Sequence, residues 1–403
     1  MKKQPLVSIL LSIYKVEKYL EECLDSILAQ SYENLEVVCV DNGSPDNCGK
    51  ILKTYARKDK RIKVITLKEN KMVCGGRNAG LDNATGDFIC FVDPDDLIGK
   101  NHISTMLKAI LEKKDPKGHP LNLVINNSAI SFMLDGNNNK KVIHRRKVPE
   151  KVYSIQDYNE NPMLEMVAPI WGRLYRKSFI DKYKIRFLDG LHTDNIPFTT
   201  KLLAHMKYWY GIQDDSNDSS YWYRLITLDG SITPYISLVS LELPVCLENL
   251  YDYLKEHNLS RKVKVMFYNF FTSYFPRHTD MPRYYMAFKK LMIKMENDIK
   301  APDSIYNRSE INLCNYLIYT NNFFQFSDLY FKPISSTHIV PKKSVRRIKL
   351  FGILLFKTTI NPNKQKRYYF LSIPIWSVRY KGNQIQHRLF AYFPLVSTQT
   401  KNK

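Results

Sequence analysis

The stretch 88-FICFVDPDDL-97 decides how this chain is read. Phe88–Val92 is apolar throughout, the mark of a strand buried on both faces rather than one. It runs into three carboxylates, Asp93, Asp95 and Asp96, interrupted only by Pro94. In open parallel sheets ligands bind beyond the carboxyl ends of the strands, so this is where such a chain would place chemistry. Neighbouring carboxylates raise one another's pKa unless positive charge lies among them. A hard divalent cation, Mn2+ or Mg2+, held by oxygen ligands would supply it. The competing reading is that the acids cap a helix starting near Ile98, where Asp is favoured.

Upstream of that stretch, strands and helices alternate. Leu6–Ile13 and Leu35–Asp41 read as buried strands, and Ile62–Leu67 as a third. Between them, Glu17–Gln30 sets Leu20, Leu24, Ile27 and Leu28 on one helical face, and Ile51 and Tyr55 mark a second helix. A third helix is expected from near Gly75. This alternation predicts a mostly parallel sheet with helices on both faces. Downstream, Leu107–Leu111 continues a helix and Leu121–Ile125 is another strand. Asn137–Arg146 reads as a polar, basic loop or hairpin, and Pro169–Phe179 (PIWGRLYRKSF) as helical. Asp194–Leu203 is a further helix and Ser219–Leu225 a strand. The first domain is expected to span residues 1–234, followed by a helical region over 235–335 and a tail module over 336–403.

Composition sets outer bounds. A chain of 403 residues with 44% apolar side chains can bury a core and points to two or three domains. Its seven cysteines form no Cys-x-x-Cys pair, which predicts buried thiols in a reducing compartment and no Cys/His metal site. The N-terminal MKKQPLVSILLSIYK reads as a first strand rather than a leader peptide. No stretch approaches the roughly 18 apolar residues of a spanning helix. The expectation is a cytoplasmic protein, soluble or peripheral to the inner membrane.

Several polar clusters fall at predicted strand ends: Ser12 and Tyr14 after the first, Asp41-Asn42-Gly43-Ser44 after the second, Asp93–Asp96 after the fourth. The turn 74-CGGRNAGL-81 permits close backbone approach and offers Arg77 to a phosphate. It is neither G-x-G-x-x-G nor a Walker sequence. In order and spacing, SIYK, LAQSYENLEVVCVDNGS, GGRNAGL and FVDPDD resemble the family 2 glycosyltransferases of the GT-A fold, of bacterial surface-polysaccharide type. The resemblance covers residues 6–130 well and 169–234 more loosely.

That resemblance implies an α/β GT-A domain, a Rossmann-like sheet flanked by helices, followed here by a helical region and a small basic β-repeat tail. It implies an inverting, metal-dependent, hexosyltransferase-type enzyme. The donor would be a nucleotide-sugar, UDP-linked by preference. The acceptor would be a surface polysaccharide, lipopolysaccharide or lipid-linked glycan. Ser12, Tyr14, Asp41 and Asn42 would face base and ribose. Asp93 and Asp95 would be the DxD pair, with Asp95 on the metal and Arg77 near the donor. The family's Glu-Asp base motif aligns with 192-HTDNIPF-198, giving Asp194 and Asn195. An amide cannot take a proton, so the base is Asp194, or His192 or Asp189, or the chain is catalytically impaired and serves as a nucleotide- or glycan-binding scaffold. Arg224, in 222-WYRLITLDGSIT-233, is either a phosphate contact or a surface ion pair. Asn42 stands where relatives carry a second Asp, and Lys15 where they carry Asn.

The tail carries its own signature. LFGILLF from Leu350, FLSIPIW from Phe370 and FAYFPLV from Phe390 recur every 20 residues, which predicts stacked strand-and-turn units. From Pro341 to Lys403 there are fourteen Lys and Arg and no Asp or Glu, so two thirds of the net charge of +21 lies there. One reading is an anionic membrane surface, another a packing or oligomerisation module. No recognised nucleic-acid motif is present, so nucleic acid is not expected as a partner.

Overall fold

The computed structural model describes residues 4–126, 128–134, 139–145, 149–154, 169–191, 195–214, 216–225, 236–259 and 289–295, and the backbone of six strands between 345 and 401. Two compact units emerge, Met1–Ile318 and Tyr319–Lys403. The expected boundaries near 234 and 335 lie outside the described residues.

The first unit is built on β1 (Val7–Ile13), β2 (Leu35–Asp41), β3 (Ile62–Thr66) and β4 (Phe88–Phe91). All are parallel, in the order β3-β2-β1-β4. The helices between them are α1 (Glu17–Leu28), α2 (Cys48–Lys58) and α3 (Met72–Asn83). Each return crosses over a helix, as parallel pairing demands. Val7, Ile9, Val37, Cys39 and Cys90 lie at zero exposure against Leu20, Leu24 and Ile27 of α1, and this apolar layer fixes the register. Register aligns the strand ends, Ile13 beside Asp41 and Leu10 beside Phe91. Three polar clusters distant in sequence therefore share one edge.

The sheet continues through β10 (Arg173–Arg176), β6 (Leu123–Asn126), β11 (Tyr208–Ile212) and β9 (Lys151–Ser154). β10 runs antiparallel to both β4 and β6, so its first residue lies at the edge where β4 ends. A smaller sheet has the order β5 (Leu97–Ile98), β12 (Tyr221–Arg224), β7 (Ala129–Leu134), β8 (Lys140–Arg145). The helices α4 (His102–Glu112), α5 (Lys177–Lys182), α6 (Asn195–His205) and α7 (Ile236–Glu256) follow in chain order.

Two expectations change. Ile98 lies in β5, and the helix begins only at His102, so the acids do not cap it. Residues 169–179 form a strand before their helix, because Leu174 and Tyr175 are needed in the core between β4 and β6. Within the segment expected as a loop or hairpin, Lys140–Arg145 form β8, antiparallel to β7. Six cysteines are buried thiols, and Cys314 lies outside the described residues.

In the second unit, β13 (Val345–Leu350) to β18 (Gln399–Lys401) form one antiparallel meander. β13 and β15 (Gln365–Phe370) start 20 residues apart, as do β14 (Ile353–Ile360) and β16 (Ile373–Lys381). The sequence period is thus a β-hairpin, with a bulge recurring at Ile348/Lys349 and Tyr368/Tyr369. No helix among the described residues is long and apolar enough to cross a membrane.

Candidate active site

The acidic cluster divides into distinct roles. Asp96 is 1% exposed and points inward. Its Oδ2 accepts from the Tyr221 hydroxyl at 2.8 Å and its Oδ1 from the Arg224 N–H at 2.8 Å. Burial, with the charges of Asp95 and Asp93, raises its pKa well above the ordinary carboxylate range. Asp96 therefore ties the loop after β4 to β12. The Tyr221 hydroxyl also accepts from the Asp93 N–H at 3.1 Å, which fixes the backbone from which the other two acids project.

Asp93 is partly open and pairs with Arg77 at 2.9 Å. Asp95 is half-buried, and burial followed by the charge of Asp93 pushes its pKa up to about 6. Excess negative charge in a poorly solvated loop is what a cation relieves. No cluster of three or more His, Cys, Asp or Glu among the described residues is arranged to hold a metal ion. Asp93 and Asp95 are the carboxylates of this loop that remain open to a cation, since Asp96 is committed to Tyr221 and Arg224.

Arg77 projects from α3 and is 7% exposed. Its guanidinium donates to Asp93 Oδ1 at 2.9 Å and to Asn195 Oδ1 at 2.5 Å, and lies 5.6 Å from the Phe187 ring centroid. One arginine thus links the loop after β4 to the first residue of α6. Asn78, one residue on, clamps the preceding segment: its amide donates to the Phe187 carbonyl and to Asp189, and accepts the Phe187 N–H. His192 and Asp194 lie outside the described residues.

Ser12 and Asn42 meet α3 at Gly76. A Cβ on Gly76 would stand 2.1 Å from Ser12 Oγ and 3.3 Å from the Asn42 amide nitrogen. Asn42 is 1% exposed; its amide donates to Asn70 and the Met72 carbonyl and accepts the Lys71 N–H. In this arrangement it organises the 70–72 loop. Asp41 accepts the Ser44 N–H, and Gly43 takes a left-handed φ of 68° with no room for a Cβ against Glu69. Tyr14 is partly exposed beside Lys15, whose N–H donates to Ser44 Oγ.

Arg224 is 4% exposed, not a surface residue. It donates from Nε to the Asp95 carbonyl at 2.8 Å and from Nη2 to Glu22 at 2.5 Å, with its guanidinium between the Tyr19 and Phe132 rings. Its Nη1 has no partner. Tyr221, Glu22 and Trp171, which stacks on Tyr221 at 4.4 Å, carry no motif of their own. The only sequence signal for Tyr221 was its place in the aromatic strand SSYWYRL.

Residues 8–118 match the model described as Glycosyl transferase family 2. Over these residues the chain is similar to glycosyl transferase family 2. Among curated relatives, Glycosyltransferase GlyA of Streptococcus pneumoniae is 32% identical over 181 residues, 44% of this chain and 25% of its own length. Glycosyltransferase GlyG of the same organism is 37% identical over 108 residues, 27% of this chain and 36% of its own. The chain thus spans well under half the length of these relatives. Residues 1–349 of S. aureus TarS, solved with UDP-GlcNAc, share the fold with a TM-score of 0.61 at 17% identity. That match covers 87% of this chain and 96% of the other, and the fold is GT-A.

Proposed function

We propose that the chain transfers a sugar from a nucleotide-sugar, UDP-linked, to a cell-surface polysaccharide or lipid-linked glycan, with inversion at the anomeric carbon. The observation that carries this reading is the Asp93–Arg77–Asn195 chain set beside Asp95 at the carboxyl edge of β1, β2 and β4. Support comes from the family match and from the UDP-GlcNAc complex of a protein with the same fold.

Ser12, Tyr14 and Asp41 line the nucleoside side, with Asn42 and Gly76 shaping the loop that covers it. Asp93 and Asp95 would hold a Mn2+ or Mg2+ ion, which would offset the charge developing on a diphosphate leaving group. Arg224 keeps the Asp95 backbone in place. Arg77 orients Asp93 toward the donor. Asp194 accepts the proton of the attacking hydroxyl, and Asn195 anchors Arg77 rather than acting as base.

Mixing the protein with UDP-GlcNAc and Mn2+ and measuring UDP release tests the reading. Asp95→Ala should reduce release by two orders of magnitude or more. Equal release from Asp95→Ala and wild type would refute the metal assignment. Asn195, an amide where relatives place a carboxylate, favours a second reading, a scaffold that binds nucleotide without turnover. UDP binding with no release across a panel of nucleotide sugars and acceptors would establish that alternative.

A further inference from the structure

Arg173 opens β10 and is 1% exposed, one of the largest fully buried side chains among the described residues. Among the described residues no carboxylate pairs with it, and its Nη1 has no hydrogen-bond partner. A guanidinium does not shed its proton, and an uncompensated buried charge is costly. Burial lowers its pKa, and the neighbouring Tyr175 hydroxyl only partly compensates.

The position is informative. β10 runs antiparallel to β4 with Tyr175 opposite Ile89, so Arg173 lies toward the end of β4 that leads into Asp93. Arg173 and Tyr175 alternate onto the same face. On that face the Tyr175 ring meets Phe91 and, on α6, Phe198. Thr199 of α6 also approaches the Tyr175 hydroxyl. It lies at zero exposure, and its Oγ1 likewise has no hydrogen-bond partner. Thr199 is one helical turn after Asn195, which grips Arg77 and through it Asp93. Two buried groups with unpartnered polar atoms, one cationic, thus converge on the Tyr175 hydroxyl, one helical turn from the Asn195 that anchors Arg77.

We propose that Arg173 and Thr199 form a subsite for an anionic group, phosphate or carboxylate, carried by the acceptor. This rests on the glycosyltransferase reading and adds that the acceptor is negatively charged near the reacting hydroxyl. An unpaired guanidinium is a poor structural element but a strong ligand for such an oxyanion. Its positive charge would hold the acceptor on the side of the site away from the donor phosphates.

The test uses the full chain with saturating UDP and Mn2+, so that the donor phosphate positions are filled. Thermal unfolding is followed as inorganic phosphate, or in a second arm acetate, replaces chloride at constant ionic strength. Wild type should gain a few degrees in a saturable way. Which arm gives the larger gain tells phosphate from carboxylate. Arg173→Met should lose the gain, and Thr199→Val should weaken it. In anion-free buffer Arg173→Met should unfold at higher urea than wild type, because an unpaired buried charge has been replaced by an apolar side chain. No gain in wild type in either arm would overturn the proposal, as would an equal gain in Arg173→Met. A gain seen only without UDP would reassign the anion to the donor site. A UDP titration run in parallel reports the donor reading separately, so the two fail independently.

Discussion

His102 shows how one buried side chain sets the acid limit of the fold. Its Nδ1 is 2.7 Å from the Ser219 carbonyl, so Nδ1 carries the proton and Nε2, buried without a partner, does not. Burial lowers its pKa from 6.5 to about 4. The folded protein therefore holds this ring neutral while the unfolded chain protonates it. The stabilisation is complete above pH 6.5 and is lost as pH falls toward 4, by at most about 3 kcal/mol. Asp95, with its pKa raised from 3.8 to about 6, works in the opposite sense and favours the folded state as pH falls below 6. The His102 contribution is isolated by comparison with His102→Asn, whose amide can still donate to Ser219. Urea midpoints at pH 7 and pH 4.5 should diverge less in that variant, and an equal divergence would refute the assignment. Tyr221 offers a second test. Tyr221→Phe removes the hydroxyl shared by the Asp93 N–H and Asp96, and should cost about 1–3 kcal/mol with a drop in UDP release. Unchanged stability would mean the hydroxyl holds nothing in place.

At the scale of elements, α3 is the piece whose placement matters most, because its glycine face touches two strand ends. Gly76→Ala drives a methyl into Ser12 Oγ and toward Asn42. Ser12 can rotate, but Asn42 is held by three hydrogen bonds, so the loop at 70–72 must shift. The expected outcome is weaker UDP binding, by about 1–3 kcal/mol, with the fold retained, read by calorimetry. Undiminished affinity would show that the nucleoside does not lie against this face. Such elements were legible in advance for a physical reason. β2 came out at Leu35–Asp41 as expected, and α1 and β3 within two residues, because buried parallel strands and amphipathic helices write their period locally. The errors fall where long-range pairing outweighs local pattern. Leu97–Ile98 becomes a strand because β12 pairs with it, and Arg173–Arg176 because β4 and β6 flank it. The site splits the same way. The acids were visible as a local cluster. That Asp96 serves Tyr221 and Arg224, more than 120 residues away, depends on contacts no local pattern encodes.

Across the whole molecule, charge is the most uneven property. Ten of the fourteen cationic residues after Pro341 lie in the strands of an antiparallel meander of hairpins spaced 20 residues apart. A sheet with no acidic residue cannot neutralise itself, so its repulsion must be offset by an outside anion or by bulk salt. An anionic bilayer would contribute roughly 1 kcal/mol per well-placed Lys or Arg, and would bring the first unit to a lipid-linked acceptor. Full-length protein should then sediment with phosphatidylserine-containing vesicles, weakly with phosphatidylcholine alone, and less as salt rises. A chain ending after Ser335 should lose this sedimentation while still releasing UDP from the donor. If the shortened chain sediments as before, the membrane reading of the tail fails. If instead removal of the tail changes only the native mass in solution, the tail is an assembly module and its charge belongs to an interface between copies.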